Sequence, residues 1–164
     1  MKETTFDFVN NEEENLSLLD SKGIEQKLAK LRQSKKVTIT QLKEIYDLGV
    51  NFYNQFQFKE AEIVFSAYTS LNPYDHRGPG CLAAIYLEKG QYKKALDILN
   101  VLKTYPTNDL DETVLNIALC HYKLNEHLQA AAMLLIVQVK NLNEFYEKRY
   151  AYLHQQLQPY ILAS

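Results

Sequence analysis

Apolar and small residues recur along this chain at two intervals, one helical and one much longer. Within "LKEIYDLGVNFYNQFQFKEAEIVFSAYTSLNP" (42–73), apolar positions fall three and four residues apart, as on one face of a helix. Two further segments repeat that pattern: "HRGPGCLAAIYLEKGQYKKALDILNVLKTYPT" (76–107) and "DETVLNIALCHYKLNEHLQAAAMLLIVQVKNL" (111–142). Small residues keep phase, with Gly49, Ala83 and Ala118 separated by 34 and 35 residues, and Ala61, Ala95 and Ala130 likewise. Large apolar residues follow at Leu48, Leu82 and Ile117, and again at Phe65, Leu99 and Leu134. Pro73 closes the first segment, and Pro106 closes the second one place early. Each segment predicts two antiparallel helices that approach closely where the small residues lie, since a larger side chain there would overpack the contact. An interval of this length is the signature of a repeat architecture.

The pattern resembles the tetratricopeptide repeat, and the predicted fold is an all-α helical solenoid of three such repeats flanked by N- and C-terminal helices. Local signals agree with these bounds. Thr38 with Gln41 has capping-box spacing for the first repeat helix, as has Asp109 with Glu112 for the fifth. Pro79 sits where a first-turn proline is tolerated. Gly90 and Asn125 occupy equivalent inter-helix turns, where a left-handed residue is often wanted. Phe56 stands there in the first repeat, which predicts a turn that closes differently.

Outside the repeats, residues 1–15 form an acidic segment that predicts disorder. A single helical domain is expected over 16–164. It starts with an amphipathic helix over 16–34, carrying Leu16, Leu19, Ile24, Leu28 and Leu31, and ends with a helix over 143–158 that covers the last repeat.

In a tetratricopeptide array the first helix of each pair lines a concave face. The resemblance puts Tyr46, Val50 and Tyr53 there in the first repeat, Ala84 and Leu87 in the second, and Leu115, Leu119 and Tyr122 in the third. This set is mostly apolar or aromatic, whereas tetratricopeptide modules that clamp a C-terminal carboxylate use Lys and Asn in such places. The expected ligand is an extended peptide with apolar anchors.

A narrower resemblance rests on "YDHRGPGCLAAIYLEKGQYKKAL" and the repeat before it, over about residues 40–140. Tyr74, Asp75, Arg77, Ala84, Gly90, Gln91, Tyr92 and Ala95 follow a run similar to that of the class II chaperones of bacterial type III secretion. Membership implies a chaperone that binds hydrophobic translocator proteins before export. It also implies that aromatic and apolar positions, here Tyr46, Val50, Tyr53, Phe58 and Phe65, hold a short proline-containing segment. Homodimers through the N-terminal helix and first repeat are a further implication, although the stripe from Leu16 to Leu31 suits intramolecular packing equally well. One departure is Gly78-Pro79-Gly80, where the family tends to have bulky residues.

Composition narrows the alternatives. The chain has 164 residues and a net charge of −2, giving no electrostatic reason to expect nucleic acid or an anionic membrane. Its 12 Tyr and 7 Phe with no Trp provide contact surface with polar tips. Cys81 and Cys120 have neither metal nor redox spacing and read as thiols in a reducing compartment. The acidic start is unlike a secretory signal, and no apolar run is long enough to span a bilayer, so the expected location is the bacterial cytoplasm.

No phosphate-binding loop or zinc spacing is present, and His121 and His127, six apart, do not share a helical face. The carboxylates of "DLDET" (109–113) suit a helix start. No nucleophile, base and orienter can be assembled, so no enzymatic activity, cofactor or metal is expected. The expected function is a non-catalytic translocator chaperone. The alternative is a tetratricopeptide scaffold or regulatory subunit joining components of the secretion apparatus.

Overall fold

A computed structural model describes residues 20–33 and 36–162. The acidic segment 1–15 and residues 16–19 of the expected first helix lie outside the described residues. Eight α-helices are described: α1 Ser21–Gln33, α2 Ile39–Asn54, α3 Phe58–Leu71, α4 Arg77–Glu88, α5 Tyr92–Leu102, α6 Leu110–Lys123, α7 His127–Ile136 and α8 Glu144–Ile161. A 3-10 turn, Val139–Asn141, precedes α8. The fold is all-α, and α2–α3, α4–α5 and α6–α7 are the three tetratricopeptide-like pairs. Two compact units divide it, Met1–Gly78 and Pro79–Ser164, so the boundary falls in the first turn of α4.

In the first unit α3 packs against both α1 and α2. Ile24, Leu28 and Leu31 of α1 are fully buried with Ile45, Phe52, Val64, Phe65 and Tyr68, so the apolar stripe of α1 packs within the chain along these residues. Asp20 starts α1 by accepting a hydrogen bond from the Gly23 N–H at 2.8 Å. Thr38 and Gln41 form a complete capping box at α2, which satisfies two otherwise orphaned donors. Gly49 is buried beneath Phe65, and a Cβ at Gly49 would lie 2.7 Å from the ring Cζ.

In the second unit α6 packs against α5 and α7, and α8 packs against α6 and α7. Ala83, Ala95, Leu99, Leu102, Ile117 and Cys120 form one core cluster. Leu115, Ala118, Ala130, Leu134, Leu153 and Leu157 belong to another. Asp109 caps α6 by accepting from the Glu112 N–H at 3.1 Å. Asn143 does the same for α8, accepting from the Tyr146 N–H at 3.2 Å. Asp111 ties the start of α6 to the 3-10 turn that precedes α8. It accepts from the Gln138 N–H at 2.8 Å and from Asn141 Nδ2 at 2.6 Å.

The inter-helix turns correct one expectation. Phe56 does not close its turn differently: its φ is 60°, beside 67° for Gly90 and 62° for Asn125. All three turns bond alike. The N–H after the left-handed residue reaches back five places, Gln57 to Phe52 at 2.9 Å, Gln91 to Tyr86 at 2.8 Å and Glu126 to His121 at 2.8 Å. The paired helices impose this geometry, because each turn must satisfy the last carbonyls of its first helix. A bulky residue at positive φ costs roughly 1–2 kcal/mol, and Phe56 bears that cost where its counterparts do not.

Candidate binding face

Tyr46, Val50 and Tyr53 lie at i, i+4 and i+7 on α2, so one face of the helix carries all three, each half-buried. Their surroundings hold the two tyrosine rings in place. Tyr46 meets Phe65 at 5.6 Å between centroids, edge to face, and Tyr68 at 5.4 Å. Tyr53 meets Phe58 at 5.6 Å, also edge to face, and Phe58 meets Phe56 at 6.1 Å. Phe65 itself is 1% exposed and packs in the core, whereas Phe58 is half-buried.

The turn between α3 and α4 fixes Tyr46 from a third direction. The Arg77 guanidinium lies over the Tyr46 ring, 5.0 Å from its centroid. Asp75 holds that guanidinium, accepting from Nε at 3.1 Å on each carboxylate oxygen and from Nη2 at 2.7 Å. It also accepts from the Arg77 N–H at 3.0 Å and from the Tyr68 hydroxyl at 2.6 Å. Charge-assisted bonds of this kind are roughly twice as strong as neutral ones. Arg77 therefore holds the Asp75 carboxyl well below the usual carboxylate range, with the Tyr68 hydroxyl adding to the effect. The Tyr68 hydroxyl is pushed up, first by burial and then by its bond to Asp75.

This turn also explains part of the Gly78-Pro79-Gly80 departure. Gly78 is buried against α3, and a Cβ there would lie 2.5 Å from Thr69 Oγ1, which is itself tied to the Phe65 carbonyl at 2.8 Å. A side chain at Gly78 would have to displace the Thr69 hydroxyl and crowd the Tyr68 ring. At Gly80 a Cβ would meet only Leu102 Cδ2, at 4.0 Å, so nothing in the packing requires glycine there. Pro79, in the first turn, forfeits no helical hydrogen bond.

In the second unit Ala84 and Leu87 are half-buried on α4, three residues apart. The third-repeat set departs from expectation. Leu115 is fully buried and shares a core cluster with Leu153 and Leu157 of α8. Leu119 and Tyr122 pack against the same cluster. The Tyr122 ring meets Tyr152 of α8 at 6.1 Å and His127 at 5.7 Å, and its hydroxyl donates to Gln156 at 3.4 Å. Helix α8 thus packs over Leu115, Leu119 and Tyr122, and Leu115 has no surface exposed to a ligand. Among the small residues, Ala61, Ala95, Ala118 and Ala130 are fully buried and Ala83 is 2% exposed.

Two features of residues already prominent in the sequence emerge only in the structure. One is the Asp75–Arg77–Tyr46 arrangement, whose signal was an acid two residues before an arginine in a turn. The other is exposed Phe56, whose signal was an aromatic residue aligned with Gly90 and Asn125. Burial pushes the Cys120 thiol up to about 12, so it stays protonated and packs as an apolar group. No cluster of His, Cys, Asp or Glu able to hold a metal ion occurs among the described residues. Among the same residues no helix is long and apolar enough to cross a membrane.

No protein-family model matches the sequence, and no curated protein does. Solved structures do match the fold. The Yersinia enterocolitica type III secretion chaperone SycD, in complex with a peptide of the translocator YopD, aligns with a TM-score of 0.67 at 22% identity, covering 78% of this chain and 98% of that one. A structure of the Yersinia enterocolitica translocator chaperone SycD has a TM-score of 0.63 at 24% identity, over 80% of this chain and 96% of its own. PcrH in complex with the chaperone binding region of PopD gives 0.65 at 22% identity, over 77% and 96%. At these identities the likeness establishes a shared tetratricopeptide-like helical fold.

Proposed function

We propose that this chain is a non-catalytic chaperone of the bacterial cytoplasm that keeps a hydrophobic type III secretion translocator soluble before export. The observation that carries this reading is the fold likeness over 98% of a translocator chaperone whose structure includes a translocator peptide. The aromatic face of α2 supports it physically. An extended apolar segment gains affinity from a few anchored side chains, and Tyr46, Val50 and Tyr53 present rigid rings and a shallow apolar strip for them. Nothing in this role needs bond chemistry: the client is sheltered because its apolar surface would otherwise aggregate. Ala84 and Leu87 provide a smaller apolar strip within the second unit. Dimerisation through α1 is a secondary element of the reading. It would have to use surface other than Ile24, Leu28 and Leu31, which are already buried.

The test is a pull-down from the bacterium that encodes the chain, with the chain as bait and mass spectrometry as readout. Recovery of a secreted protein with predicted membrane-spanning segments is the expected result. Recovery of a soluble apparatus subunit in its place would overturn the chaperone reading in favour of a tetratricopeptide scaffold.

A further inference from the structure

We propose that Phe56 is a client-binding anchor, placed at the α2–α3 turn to take an uncharged apolar segment of the translocator. This inference rests on the chaperone reading and extends it to a residue outside the α2 face.

Two costs coincide at this residue. Its backbone takes φ 60°, a left-handed conformation that a bulky side chain rarely adopts. Its ring is 79% exposed, so folding recovers little apolar burial from it. The same chain meets the same turn geometry twice more, with Gly90 at φ 67° and Asn125 at φ 62°, residue types that accept it readily. The turn therefore does not require an aromatic residue. Such an outlier points toward function when the surrounding structure holds it without using it.

The surroundings indicate the occupant. Phe56 stands perpendicular to Phe58 at 6.1 Å, and Phe58 meets Tyr53 at 5.6 Å, so the ring continues the aromatic surface of the α2 face past the helix end. From Leu48 to Phe58 the sequence contains no charged residue, and the exposed neighbours Asn51, Asn54, Gln55 and Gln57 are neutral. The residues beside Phe56 in the turn thus offer no counter-charge of their own, the nearest charged residues in sequence being Asp47 and Lys59. An apolar segment loses nothing, and gains a ring already held by its turn at low entropic cost.

The test compares Phe56→Asn and Phe56→Gly, the residues of the sister turns, with the unmodified chain, each co-expressed with the translocator found by the pull-down. Thermal midpoints are read by circular dichroism, captured translocator by quantitative mass spectrometry, and self-association by sedimentation velocity. The expected result is opposite signs: an unchanged midpoint or one raised by about 2–4 °C, with capture falling about tenfold. A lowered midpoint in both variants would overturn the proposal, because the ring would then serve the fold. Undiminished capture would overturn it too, as would self-association of the unmodified chain that both variants abolish. The double variant Tyr46→Ala with Tyr53→Ala separates this idea from the reading beneath it. If that variant loses the client while Phe56→Asn keeps it, only the Phe56 anchor fails. If both keep it, the α2 face fails as well.

Discussion

Gly49 shows how one missing side chain positions a helix pair. The Phe65 ring occupies the space where a Cβ would stand, with three ring carbons within 2.7–2.9 Å of that point. Phe65 is 1% exposed and edge-on to Tyr46, so it has no open direction in which to retreat. Gly49→Ala should therefore destabilise the fold by about 1–3 kcal/mol through overpacking, despite alanine's better helix propensity. Urea denaturation measures this directly, and a stabilised variant would mean the ring relaxes freely. Asp75 provides a second residue-scale prediction. Its carboxyl is held below the ordinary range by Arg77, so folding favours the ionised form. That contribution is fully present above the unfolded value, about pH 4, and is lost as pH falls toward the depressed folded value. Asp75→Asn should cost about 1–3 kcal/mol at pH 7, and the gap from the unmodified chain should narrow as pH falls from 5 to 3. A gap constant across that range would show that ionisation of Asp75 contributes nothing.

At the scale of elements, the repeat phase was legible because small residues are needed wherever two helix backbones approach. Gly49, Ala61, Ala95 and Ala118 mark those places in sequence order. The turn at Phe56 was not legible, since side-chain preference argued against a conformation that backbone hydrogen bonding enforces in all three repeats. The burial of Leu115 was not legible for another reason. Its place in the repeat matches Tyr46, yet the sequence of one repeat does not reveal that a later helix will cover it. That helix, α8, is capped by Asn143 and buries Leu153 and Leu157 among α6 and α7 residues. The Arg149 guanidinium also reaches the Asn116 side chain of α6. If α8 is what seals the second unit, Leu153→Ala should cost about 2–5 kcal/mol, the usual penalty for emptying a buried leucine site. Hydrogen exchange should then show lost protection in α6 and α7 as well as in α8. Loss confined to α8 would make it an appendage and not part of the core.

At the scale of the whole molecule, the chain combines rigid helix pairs with aromatic residues left partly uncovered. Tyr46 is held from three sides by Phe65, Tyr68 and Arg77, and Tyr53 rests against Phe58. Rings fixed in this way lose little freedom when a partner arrives, so each contact yields most of its energy as affinity. Removing them should therefore separate binding from folding. On the proposed chaperone role, Tyr46→Ala combined with Tyr53→Ala should weaken translocator binding by tenfold or more, in the range of roughly 1–2 kcal/mol for each aromatic anchor. Helical circular dichroism should remain, because both residues are half-buried and α2 keeps its capping box and the buried Ile45 and Phe52. Isothermal titration of the purified translocator segment into the double variant measures the loss. Binding at the unmodified strength with intact helicity would place the client on a different surface, and the apolar strip of Ala84 and Leu87 would be the next to substitute.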